Sequence, residues 1–136
     1  MCLKVMKKDI EIPVVKDVYL VVVPEYNDVF KTDDWNVYIV NNKEVDLEML
    51  LINSKGFDGD KETAKMKHKI DLLPAKSGVK FELMVDEVLV LNNEFKVTFF
   101  ENNKLYYKVF LLKKGSIKKS ALRLVKALGK RGHIIK

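Results

Sequence analysis

The chain has 136 residues, 48% of them hydrophobic and 32% charged, with a formal net charge of +6. A chain of that length forms one domain, residues 1–136, and buries enough surface to fold without a staple. Its single cysteine, Cys2, excludes an internal disulfide and a thiolate metal cluster made by this chain alone, and points to a reducing, cytoplasmic setting.

The charge is unevenly placed. Residues 113–136 carry nine Lys or Arg and no acid, whereas residues 1–112 carry sixteen basic against nineteen acidic side chains. The body is therefore mildly acidic, and the basic character belongs to a C-terminal segment, residues 113–136. Such asymmetry marks either a solvated charged face or a contact with a polyanion.

At the N-terminus, MCLKVMKK has neither a long apolar run nor a small-residue cleavage site, so it reads as no signal peptide and no membrane span. Residues 1–8 are expected to be disordered, and either Met1 or Met6 can serve as the start. DVYLVVV, Asp17 to Val23, is the first strand, stopped by Pro24, which cannot donate to a ladder. WNVYIV, Trp35 to Val40, is the second, with Trp35, Val37 and Ile39 on one side. NNKEVD turns the chain into LEMLLINS, where Leu47, Met49 and Leu51 share a face, and SKGFDGDKE reads as a loop.

AKMKHKIDL alternates most clearly. Ala64, Met66, His68, Ile70 and Leu72 face one way, and Lys65, Lys67, Lys69 and Asp71 the other, a strand with one wet face. After Pro74 and the Ser77-Gly78 turn, Val79, Phe81, Leu83 and Val85 repeat the pattern. DEVLVLNNE suits a buried strand or a helical turn. Two further strands occupy NNEFKVTFFENNKLYYKVFLLKK, giving about seven. One helix is expected, Ser116 to Leu128, with Ile117, Ala121, Leu124, Val125 and Leu128 as an apolar stripe, Ser116 as N-cap and Gly129 as the stop. The core is expected to rest on Trp35, Val37, Ile39, Leu47, Met49, Leu51, Met66, Ile70, Phe81, Leu83, Phe95, Val97, Phe99 and Val109.

The last hairpin is apolar on both faces. A three- or five-residue loop around Asn102-Asn103 sets Phe95, Val97 and Phe99 against Leu111, Val109 and Tyr107 as a core face. A two-residue loop places Lys108 opposite Val97 and is set aside for that reason. The reverse face then gathers Phe100, Tyr106, Lys108 and Phe110, the candidate partner-binding residues. They need cover from the C-terminal segment, from a second copy or from a ligand.

Chemistry is sparse. His68 and His133 have no HxxxH spacing, the DGD of Asp58 to Asp60 lacks the twelve-residue calcium pattern, and no GxSxG or phosphate-cradling glycine loop occurs. Asp33-Asp34 and Asp86-Glu87 are sequence neighbours, which on a strand point oppositely and cannot share a substrate proton. No catalytic, cofactor or metal site is assigned. One face of the expected helix would present Lys118, Lys119, Arg123 and Lys126, followed by Lys130 and Arg131, as a polyanion-binding set. With Arg123 and Arg131 the only arginines, contact to nucleic acid would be weak and non-specific.

DVYLVVVPEYND, WNVYIVNNKEVDLEMLLINSKGF and DEVLVLNNEFKVTFFENNKLYYKVF together resemble a set of short bacterial proteins of β-sandwich type, over roughly Lys7 to Lys136. Some of these carry the name of the phenylalanyl-tRNA synthetase α subunit. That activity would require an ATP-binding arginine in an Arg-x-Glu setting. Arg123 and Arg131 are followed instead by Leu124-Val125 and Gly132-His133. The resemblance implies the sandwich fold and brings no site residues.

The expectation is an all-β, immunoglobulin-like antiparallel sandwich of about seven strands with a short C-terminal helix. Its leading function is a non-catalytic interaction or structural module that pairs with a protein partner or as a homodimer, without a membrane. The alternative is a nucleic-acid- or RNA-associated accessory domain using the basic C-terminal segment.

Overall fold

The computed structural model describes residues 13–136; the expected disorder of residues 1–8 and the choice of start lie outside them. The chain runs β1 (Val18–Asn27), β2 (Thr32–Asn41), β3 (Leu47–Asp58), β4 (Lys61–Glu62), β5 (Met66–Leu73), β6 (Ser77–Met84), helix α1 (Asp86–Leu89), β7 (Asn92–Glu101), β8 (Lys104–Leu112), β9 (Arg123–Val125) and β10 (Lys130–Ile135). The protein is all-β, built from two antiparallel sheets. Sheet A has the order β6-β2-β1-β10-β9; in sheet B the path is β4-β3-β7-β8, with β5 also paired to β3. Among the described residues there are ten strands rather than seven.

The inner faces of the two sheets share one apolar cluster. Leu20, Val22, Val37 and Ile39 come from sheet A, and Leu47, Leu50, Ile52, Phe95, Val97, Phe99 and Phe110 from sheet B. Of the expected core, Val37, Ile39, Leu47, Phe95, Val97 and Phe99 are buried, while Trp35, Ile70 and Phe81 pack against the cluster from its rim. Met49, Leu51, Met66, Leu83 and Val109 are instead exposed.

Phase slips explain four of these five. Met49 takes a φ of 49° beside an irregularity in the β3–β7 ladder, so the inward positions run Leu47, Leu50, Ile52 rather than Leu47, Met49, Leu51. An extra residue in one strand turns every later side chain over. On β5 the inward face passes in the same way from Ile70 to Leu73, leaving Leu72 outside. The β2–β6 ladder shifts between Val37 and Tyr38, which carries Glu82 and Met84 inward and Leu83 outward. Val109 follows the hairpin register described below. Met66 does lie opposite buried Ser54, but at the first residue of β5, where little covers it.

The predicted helix over Ser116 to Leu128 does not form. A single 3-10 turn at Lys119–Ala121 leads into β9, and β10 then pairs with β1, Leu20 against Ile135 and Val22 against His133. Gly129, with φ of 63°, closes the β9–β10 turn. Helical periodicity gave way to a place in the ladder: Val125 and Ile135 are buried, and Ile134 packs on the outer face of sheet A. The β9–β10 turn folds Ala127 and Leu128 over Val21, Val23, Tyr38 and Val40. Two glycines permit that approach. A Cβ on Gly132 would stand 2.4 Å from Val21 Cγ1, and one on Gly78 2.5 Å from Leu128 Cδ2.

DEVLVLNNE resolves as the four-residue α1. SKGFDGDKE is largely a hairpin, with β3 running on to Asp58 and pairing with β4. Pro24 does not stop β1, which continues to Asn27. The β1–β10 ladder spans only Leu20 to Val22, so at Pro24 no donor is demanded from that side.

Candidate interaction face

β7 and β8 are joined by a two-residue loop in which Asn102 (φ 50°) and Asn103 (φ 62°) both take left-handed backbone. That pair of torsions defines the hairpin turn whose twist matches the strands, and asparagine tolerates it better than other non-glycine residues. The turn therefore outweighs the apolar pattern, and the expected longer loop is corrected. Phe99 pairs with Tyr106, Phe100 with Leu105 and Val97 with Lys108.

This register redistributes the candidate partner-binding residues. Phe110 is 1% exposed and belongs to the core. Tyr106 stacks on Phe99 with ring centroids 5.2 Å apart and planes 6° from parallel. Lys108 shares their face, its ammonium 4.8 Å from the Phe110 ring centre, so its stem lies along apolar surface while its charge sits over a π-face. Of the four, only Phe100 stays on the outer side, half-buried. The C-terminal segment does not cover this hairpin's outer face; Leu128 covers sheet A and Ile117 packs against the main core.

The outer face of β8 is instead Leu105, Tyr107, Val109 and Leu111, all between 41% and 52% exposed. Across the sheet Thr98 and Leu51 stand beside Tyr107, and Lys96 and Asn53 beside Val109. β8 is also the last strand of its sheet; among the described residues nothing pairs with its far edge. Four alternating apolar side chains on a nine-residue strand with an open ladder make a template for another strand.

The C-terminal basic residues do not form one face. Lys118 and Lys119 lie on the connection into β9, Arg123 on β9 and Lys126 in the turn. Lys130 is held 2.8 Å from Glu25 Oε2, and Arg131 donates to the Leu122 carbonyl at 3.4 Å. That Glu25 carboxylate also accepts from Asn36 Nδ2 and Tyr38 Oη, both at 2.8 Å, over an open depression of about 590 Å³ that Lys80 and Asp34 help to line. Burial pushes Glu25 upward, but the donors from Lys130, Tyr38 and Asn36 outweigh it and leave the carboxyl below its usual range. Tyr38 is pushed up to about 12 by burial and by its bond to Glu25.

Among the described residues Glu82 is the one buried acid, Glu25 being only partly covered. Its Oε1 accepts from Ser54 Oγ at 2.6 Å and lies 2.9 Å from His68 Nε2, while the His68 ring meets Phe81 edge-on at 5.2 Å. Serine and histidine both contact the same oxygen, so the hydroxyl donates to the carboxylate and not to the imidazole. The cluster satisfies a buried charge. Asp58, in the DGD turn, bonds Lys114 at 3.0 Å. Among the described residues, no three His, Cys, Asp or Glu side chains are grouped to hold a metal ion, and no helix is long and apolar enough to cross a membrane.

Compared with protein-family profiles, curated proteins and solved structures, the chain gives no match.

Proposed function

We propose that the chain is a non-catalytic interaction module, an immunoglobulin-like sandwich in the cytoplasm that pairs with a second copy of itself through the β8 edge. The observation that carries this reading is the row Leu105, Tyr107, Val109 and Leu111, exposed on a strand whose outer ladder is open.

Charge placement favours a second copy over an unrelated strand. In a two-fold antiparallel pairing centred on Tyr107, Leu105 meets the other copy's Val109, and Tyr106 meets its Lys108. Aromatic and cation then face each other across the pair, and no like charges do. Centring on Lys108 instead sets two ammonium groups opposite one another, so the inward-facing lysine selects the register and guards against indiscriminate pairing.

Sedimentation equilibrium of the full chain tests this, with Tyr107→Lys/Val109→Lys beside the wild type. The wild type is expected to show a concentration-dependent dimer, and the double variant a folded monomer with an unchanged far-ultraviolet spectrum. A wild-type chain that stays monomeric at several hundred micromolar overturns the reading.

A further inference from the structure

The other half of sheet B's outer face has a different chemistry. Lys65 precedes β5, Lys67 and Lys69 point outward from it, Lys55 comes from β3 and Lys96 from β7. Lys67, Asn53 and Lys96 are consecutive across the three strands. An open depression of about 330 Å³ lies among Asn53, Lys55, Lys65, Lys67, Glu94 and Lys96.

Nearby acids offset this charge only in part. Lys55 reaches Glu62 at 3.4 Å, Lys69 reaches Asp71 at 3.7 Å and Lys96 reaches Glu94 at 3.8 Å. These are exposed pairs of small worth. Lys65 and Lys67 form no ion pair among the described residues. Like charges on neighbouring strand positions repel one another, and an anionic ligand lying across them removes that repulsion.

We propose that this face binds the sugar-phosphate backbone of a single-stranded nucleic acid along the β5 row of Lys65, Lys67 and Lys69, with Lys96 beside that row, across β3 from Lys67. Alternate residues on a strand are about 6.6 Å apart, of the order of the phosphate spacing along an extended single strand. Strand β5 thus offers a linear row of point charges rather than a pocket for one anion. Lysine supplies charge without the bidentate fork that reads bases, and the neighbouring Asn53 and Thr98 add only short hydrogen-bonding groups, so binding is sequence-independent. The site replaces the C-terminal residues as the polyanion contact, since those are dispersed and two of the six are already engaged. It is separate from the β8 edge and does not depend on self-association.

The test is fluorescence anisotropy of a labelled twenty-nucleotide oligo-dT and oligo-U at low salt, followed by a salt titration. The full chain is compared with Lys65→Gln/Lys67→Gln/Lys69→Gln/Lys96→Gln and with a C-terminal control, Lys118→Gln/Lys119→Gln/Arg123→Gln/Lys126→Gln. The first variant is expected to lose at least tenfold in affinity, with its log–log salt slope falling by about 3, near 0.7 for each phosphate contact removed. The control is expected to keep most of both. All substituted side chains are exposed, and an unchanged thermal midpoint confirms that each variant folds. Equal loss in the two variants, loss in the control alone, or no oligonucleotide binding by a wild type that does bind phosphatidylserine vesicles would each overturn the proposal.

Discussion

The outer faces of the two sheets start from the same problem and end differently. Sheet A carries Val21, Val23, Tyr38 and Val40 outward and buries all four, because the β9–β10 turn lays Ala127 and Leu128 across them. Sheet B carries Leu51, Tyr107, Val109 and Leu111 outward and leaves them between 41% and 48% exposed. Apolar content alone therefore does not decide which face becomes interior. The chain spends its one spare hairpin on sheet A, and the consequence for sheet B is an open apolar row beside an open lysine row.

The largest effect is expected from Phe110→Ala. If Phe110 lay on the outer face, its loss would cost a few tenths of a kcal/mol; in the core position seen here it is expected to cost about 3 to 5 kcal/mol by denaturant unfolding. A smaller effect separates the covered face from the open one. Leu128→Ala should cost about 1 to 3 kcal/mol and increase binding of an apolar dye to sheet A, whereas Val109→Ala, on a face already wet, should stay within about 0.5 kcal/mol in the monomer. Equal costs for the two would mean that both faces are covered in solution.

The smallest expected effect is an acid sensitivity on the sheet A side. Burial holds His133 below its ordinary value of 6.5. As pH falls through 6.5 the unfolded chain takes up a proton that the native state refuses, and stability declines until the native pKa is passed. Glu25 is also lowered, from an ordinary 4.5, by its donors against its burial. Its stabilising contribution is full above 4.5 and lost as pH falls through the native value. Chemical denaturation between pH 8 and 3 should show two successive declines, the first missing in His133→Asn and the second in Glu25→Gln.

The sequence is a good guide where local chemistry and strand pattern agree. WNVYIV alternates as drawn, and within AKMKHKIDL His68 sits on the inner side against Glu82 while Lys67 and Lys69 face out. It misleads where one residue changes phase. Nothing in LEMLLINS announces the left-handed backbone at Met49, yet that one torsion exchanges Met49 and Leu51 for Leu50 and Ile52 in the core. The hairpin is the opposite case, because Asn102-Asn103 was a legible two-residue turn signal. In the sequence it conflicts with a pattern that keeps Lys108 off the core face, yet a lysine stem lying along Phe110 is accommodated there. The C-terminal stripe fits a helix in isolation; only the empty place beside β1, a long-range fact, makes His133, Ile134 and Ile135 a strand. In the sequence the lysine row on sheet B shows only as the wet side of a strand, and its extension through Lys55 and Lys96 depends on the strand order β5-β3-β7.

The pairing of Leu20 with Ile135 also sets an order of events. β1 and β10 stand nearly the whole described chain apart, and β10 is an interior strand of its sheet. During synthesis the β1–β2 hairpin can form early, but its other edge stays unfilled until almost everything else has been made. The loop closed by that contact is among the longest the chain allows, so its entropic cost is met late and folding should be slow for a domain of this size. In the interval the exposed edge of β1 is the place where two nascent chains can pair wrongly. A fragment ending at Lys114 would hold that state permanently, lacking both β9 and β10, two of the five strands of sheet A, rather than a dispensable basic tail.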